Sequence, residues 1–223
     1  MKTILNICLV PDPADEIATS FANEAITYSK QLNGICKSYY ELDPLLNSSI
    51  YSKPHCTLTH VVLTEINENQ QYLQSLRNSL ISIIGQPFPL TITGVSASLH
   101  AMFSKKDIIE DRINSIQALA YWLVVKKSLD LVNLQKRVIA SVEAQGNCIT
   151  ACQEYYEPHF TLWANTIANT RPTALSSQAL EKSLGYNKSS FVLPCKIAVG
   201  NCGPHGQVRD WVTDISRLRC FSE

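Results

Sequence analysis

Two five-residue stretches of this chain read almost alike. Pro54-His55-Cys56-Thr57-Leu58 and Pro158-His159-Phe160-Thr161-Leu162 agree at four of five places and stand 104 positions apart in a chain of 223 residues. The chain holds five histidines, His55, His60, His100, His159 and His205, so two of the five share their neighbours. A match this short suggests two like elements. The chemistry of the matched residues says more.

Each copy falls in a predicted strand, where successive side chains point to opposite faces. His55 and Thr57 therefore share one face, with Cys56 and Leu58 on the other. His159 and Thr161 likewise look one way, and Phe160 and Leu162 the other. Carried further, the alternation puts Trp163 on the face of His159, Lys53 on the face of His55, and His60 away from His55. Each strand thus buries two apolar groups and presents an imidazole beside a hydroxyl.

That pairing suits phosphoryl chemistry. Breaking a P–O bond requires a proton taken from the attacking oxygen and another given to the leaving oxygen. Imidazole does either near neutral pH, and two of them hold opposite protonation states at once. Two threonine hydroxyls donate to the non-bridging oxygens, where charge builds in the transition state. Such a site calls for no metal or other cofactor. A zinc site drawn from Cys148, Cys152 and His159, or from His55, Cys56 and His60, lacks the second spaced pair that structural zinc sites carry. His205, in a glycine-rich turn, reads as exposed.

Around the two motifs, strand and helix patterns alternate. Ile4 to Val10 reads as a buried first strand, interrupted by Asn6. Asp12-Pro13 then looks like a helix start, with Ile17, Phe21 and Ala25 as an apolar stripe flanked by Ala18, Ala22 and Ile26, and Gly34 as the stop. Residues 40–64 are mixed and strand-like, centred on 56–63. A second helix covers 66–84, with Leu73, Leu76 and Leu80 on its apolar side and Gly85 as its stop. A strand follows over 87–99, burying Leu90, Ile92 and Val95. Residues 119–125 are a strand, and Leu131, Leu134, Val138 and Val142 mark a helix by their three- and four-residue steps. Residues 155–167 make another strand, 173–184 a short helix, and 190–200 and 207–215 two last strands around a turn at 200–206.

Composition narrows the function. Nineteen Lys and Arg balance nineteen Asp and Glu, whereas a protein that tracks long nucleic acid by counterion release carries a basic excess. With 45% hydrophobic residues and 17% charged, the chain is globular rather than disordered. The first apolar run is stopped by Pro11-Asp12-Pro13 and lacks a cleavage pattern. No stretch approaches the roughly 18 apolar residues of a membrane span. The expectation is a cytoplasmic monomer with reduced thiols and no membrane partner.

The paired His-x-Thr motifs resemble the 2H phosphoesterase superfamily, whose members carry one His-x-Thr/Ser motif in each lobe of a pseudo-symmetric fold. The resemblance implies a bilobal α+β fold over residues 1–223 as a single domain, with two antiparallel-rich sheets flanked by helices and the active cleft between lobes. It further implies a metal-independent phosphodiesterase acting on a 2′,3′-cyclic phosphate or a 2′–5′ linkage of a nucleotide or RNA terminus. Carried over, His55 and His159 are the acid and base, in either order, and Thr57 and Thr161 hold the phosphate. Trp163 is then a candidate to stack on a base, and Lys53 to meet a phosphate. Trp163-Ala164-Asn165 follows the second motif where the bacterial RNA cyclic phosphodiesterases of the superfamily carry a basic residue. A catalytically silent nucleotide- or RNA-end-binding module and an RNA ligase-type transferase are the other readings of the same motifs.

Overall fold

The structure, a computed structural model, describes residues 3–33, 40–43, 48–49, 52–63, 70–83, 87–102, 116–145, 148–151, 156–166, 175–202 and 208–212. In chain order the elements are β1 (Thr3–Pro11), α1 (Glu16–Asn33), β2 (Leu42–Asp43), β3 (Ser48–Ser49), β4 (Cys56–Leu63), α2 (Gln70–Ile81) and β5 (Phe88–Met102). They continue as β6 (Ile116–Val125), α3 (Leu129–Glu143), β7 (Cys148–Ala151), β8 (His159–Thr166), α4 (Ser177–Leu184), β9 (Phe191–Cys202) and β10 (Val208–Val212). No helix among the described residues is long and apolar enough to cross a membrane.

The fold is α+β. One antiparallel sheet runs β7-β4-β1-β9-β5-β6-β8, with β10 also on β9, while β2 and β3 form a separate ribbon. The same order of elements occurs twice: β1-α1-β4-α2-β5, then β6-α3-β8-α4-β9. Their places in the sheet mirror one another about the junction of β9 with β5. There Phe88 faces Cys195, Leu90 faces Leu193 and Ile92 faces Phe191. The two sheets expected from the sequence are therefore joined at this junction into one. Each half also gives its third strand to the other, since β5 pairs with β6 and β9 pairs with β1.

The four helices among the described residues cover one face of the sheet. A single core cluster takes Leu5, Ile7 and Leu9 from β1, Phe21 from α1, Leu76 and Leu80 from α2, Val138 from α3 and Leu180 from α4. Helix α3 is cut as its spacing predicts, with Leu131, Leu134, Val138 and Val142 all buried and the Ser128 side chain accepting the Leu131 N–H at 3.2 Å. Helix α4 starts later than expected, at a Ser176 cap, and stops at Gly185, whose φ of 64° is the left-handed turn that glycine adopts without strain.

Two details at the start of α1 differ from the sequence reading. The cap is Asp15, whose carboxylate accepts the Ala18 N–H at 2.9 Å. Asp12 instead accepts the Ala14 N–H at 2.9 Å and pairs with Lys196 at 2.8 Å, pinning the end of β1 to β9. Ile17 is 61% exposed, so the buried stripe is Ala18, Phe21 and Ala25. Strand β5 buries Leu90, Ile92 and Val95 as expected, and a bulge between Ile92 and Gly94 accounts for the three-residue step. β7, four residues long, has too little pattern to be seen in the sequence. Gly34 and Gly85, the expected helix stops, and His205 lie outside the described residues, whereas Gly200 to Cys202 of the expected turn continue strand β9.

Candidate active site

Both motif strands carry the same irregularity. In β4, Cys8 of β1 faces Thr57 and Ile7 faces Thr59, so Leu58 has no partner in β1. In β8, Trp122 of β6 faces Thr161 and Tyr121 faces Trp163, so Leu162 has none in β6. An extra residue in one strand reverses the side-chain alternation beyond it. Cys56, Leu58 and Val61 accordingly join the main core, and so do Phe160 and Leu162 with Trp163 packed against them.

These bulges correct two expectations. Trp163 does not share the face of His159; it lies on the core side, its ring 5.4 Å from that of Tyr121. His60 does not point away from His55. It stands opposite Asn6, whose side chain reaches Thr57, and cross-strand partners share a face. His60 is thus on the face of His55 and Thr57. Its Nε2 is buried with no hydrogen-bond partner among the described residues, and burial, aided by the nearby His55, pushes its pKa down to about 4. The ring is neutral at physiological pH.

The two motif histidines are held alike. Nδ1 of His55 lies 2.7 Å from the carbonyl oxygen of Lys53, and Nδ1 of His159 lies 2.7 Å from that of Glu157. A carbonyl only accepts, so each Nδ1 carries the proton and Nε2 is the basic nitrogen of the neutral ring. His55 is 7% exposed and His159 half-buried. The indole of Trp122 lies against His159, with ring centroids 4.8 Å apart and planes 31° from parallel.

Four strands separate β4 from β8 along the sheet, yet their starts meet. The Cys56 thiol lies 4.0 Å from the Tyr156 hydroxyl and takes a hydrogen bond from the main chain of His159. The sheet therefore curls until the two His-x-Thr segments are neighbours. Burial pushes the Cys56 thiol up to about 12 despite these bonds, so it is no thiolate nucleophile.

Around the motifs stand Lys53 and several residues that the sequence reading did not single out. Tyr40, 1% exposed, donates its hydroxyl to the carbonyl of Thr161. Trp122 packs with Tyr40 and Ala120 in a second cluster. Trp211 packs on a third with Cys8, Val10 and Ala198. Exposed Lys53 holds its ammonium 4.4 Å from the centre of the Trp211 ring, so Lys53 stands beside the His55 segment while its charge is directed onto an indole. Besides Lys53, Asn6 had a signal in the sequence, as a polar residue inside an apolar strand. A shallow concavity of about 570 Å³ that includes Glu16, Phe21, Lys188 and Phe191 is lined by none of the motif residues. Among the described residues no three side chains of metal-ligating type converge.

No family model matches the sequence, and no curated protein sequence matches it. Solved structures similar to it include a crystal structure of E. coli LigT complexed with 3′-AMP, at 13% identity over 95% of each chain with a TM-score of 0.46. A crystal structure of a phosphoesterase is 12% identical over 90% of this chain and 89% of that one, at a TM-score of 0.44. The MHV ns2 PDE domain is 11% identical over 86% of this chain and 99% of that one, at 0.40.

Proposed function

We propose that the chain is a phosphodiesterase that opens a 2′,3′-cyclic phosphate, or cuts a 2′–5′ linkage, in a nucleotide or at an RNA end. The observation that carries this reading is the matched tethering of His55 and His159 through Nδ1, in neighbouring strand starts, each with a threonine two residues on. One imidazole takes the proton of the attacking water through Nε2. The other, protonated, gives its Nε2 proton to the leaving ribose oxygen. Thr57 and Thr161 donate to the non-bridging oxygens as charge builds there. With both proton carriers supplied by the chain, the reaction proceeds without a metal ion.

The test is hydrolysis of 2′,3′-cyclic AMP and of a 2′–5′ linked diadenylate, with EDTA present, by wild type, His55→Ala and His159→Ala. Turnover that resists the chelator and collapses in both variants is the expected result. Turnover that persists in either variant refutes the two-histidine mechanism. An inert wild type that still binds the diadenylate is instead a nucleotide-binding module.

A further inference from the structure

From Ile4 to Val10 strand β1 is apolar on both faces except at Asn6, which is 0% exposed. A buried amide costs free energy unless hydrogen bonds repay its desolvation, and a strand needs no amide to hold its place. Its Nδ2 lies 3.1 Å from Oγ1 of Thr57, across the β1–β4 pair. We infer that Asn6 is a positioning residue for the reaction, acting through Thr57 by dictating where the threonine proton points. The inference rests on the phosphodiesterase reading above and deepens it.

A threonine hydroxyl has one proton, and a strand offers it main-chain carbonyls. Thr59 donates to the carbonyl of His60 at 3.3 Å, and Thr93 to that of Val124 at 3.4 Å. A hydroxyl so engaged has no proton for a phosphate. Thr57 is arranged the other way. An amide N–H only donates, so Oγ1 of Thr57 accepts from Asn6, and its own proton is directed away from Asn6. A donor oriented before the substrate arrives needs no reorganisation as the phosphoryl oxygen gains charge.

The other half of the fold lacks this device. Asn6 faces His60 in β4, and the matching pair in β8 is Ala120 with Ala164. Alanine at 120 has no group to offer Thr161. The two threonines are therefore unequal, and Thr57 is the pre-oriented one.

A double-mutant cycle tests this, read as kcat/KM for 2′,3′-cyclic AMP and, in parallel, as the affinity for inorganic phosphate. Thr57→Val is expected to lose about 100-fold in kcat/KM, the scale of one oxyanion donor, and Asn6→Ala about 10-fold. Asn6→Ala added to Thr57→Val should cost nothing further, and in Thr57→Ser, which keeps the hydroxyl, its effect should return. Added to Thr161→Val, its loss should multiply in full. Losses that multiply with Thr57→Val would make Asn6 merely structural and overturn the inference. So would a gain of activity in Asn6→Ala, since then Thr57 donates to Asn6. Should Asn6→Ala not fold, Asn6→Ser, too short to reach Thr57, takes its place. If wild type turns over nothing, the phosphodiesterase reading fails by itself, and the phosphate affinities of the same variants decide for or against Asn6.

Discussion

His55 and His159 make one and the same hydrogen bond, each from Nδ1 to the carbonyl two residues before it, each at 2.7 Å. Because the acceptor is main chain, the tautomer is set by the path of the strand and survives substitution of any side chain nearby. Two proton carriers of identical tautomer can do opposite jobs only by differing in protonation. The rate should therefore rise and fall with pH as a bell, with one limb from each ring. Replacing either histidine by alanine should lower kcat/KM by about 10²–10⁴ and leave one limb of the profile at most. Steady-state rates on 2′,3′-cyclic AMP across about pH 5 to 9 check this; a flat profile in wild type would contradict it.

Trp122 and Trp163 lie on opposite faces. Trp122 lies against the His159 ring, whereas Trp163 packs on the core beside Tyr121. Trp122→Leu should loosen the imidazole and cost about tenfold in kcat/KM. Trp163→Leu should leave kcat/KM within about twofold and lower stability by about 1–3 kcal/mol. Kinetics and urea unfolding of the two variants separate them. A large KM effect of Trp163→Leu would restore it to the substrate side.

His60 gives the fold an acid sensitivity. Its folded pKa is lowered from 6.5 to about 4, so between those values the unfolded chain binds a proton that the folded chain refuses. The unfolded state binding more protons, stability must fall as pH drops through that window. Allowing for the partial exposure of the residue, about 1 kcal/mol should be lost between about pH 7 and pH 5. His60→Leu should flatten this slope by one proton. Urea unfolding at the two pH values is the measurement, and an unchanged slope would rule the mechanism out. Asp12, whose carboxyl is held below its usual range by Lys196, acts only at lower pH.

Gln135 of α3 donates from Nε2 to the carbonyl of Leu58 at 3.0 Å, satisfying the main chain where β4 bulges. Gln135→Leu should leave that buried carbonyl without its donor and cost about 1–3 kcal/mol, a drop of several degrees in Tm for a chain of this length. It should also lower kcat/KM, since the bulge adjoins Thr57. A variant that melts like wild type would show that the bulge needs no such support.

The sequence revealed what local pattern encodes and hid what distant pairing decides. The stripe of α3 and the buried residues of β5 were legible because their neighbours in sequence are their neighbours on a face. The equivalence of His55 and His159 was legible because the same residues recur around each. The faces of Trp163 and His60 were not, because an alternation of two was carried across Leu58 and Leu162. A bulge there is visible only against the partner strand, in Cys8 facing Thr57 and Trp122 facing Thr161. Trp122 and Tyr40 gave no sign for the same reason: what brings them to the second motif is 39 and 121 positions of intervening chain.

The exchange of third strands sets the order in which this protein becomes itself. Cys8 waits for Ala198, 190 residues later, before the second side of β1 is covered. A nascent chain that has completed every element of the first half still lacks the strand that closes it, and presents an open apolar edge to its surroundings. Such long-range closure makes folding slow and leaves partly made chains prone to associate. Truncation before Phe191 would therefore not yield a shorter protein with one intact half. It would take a strand from the half that was left whole.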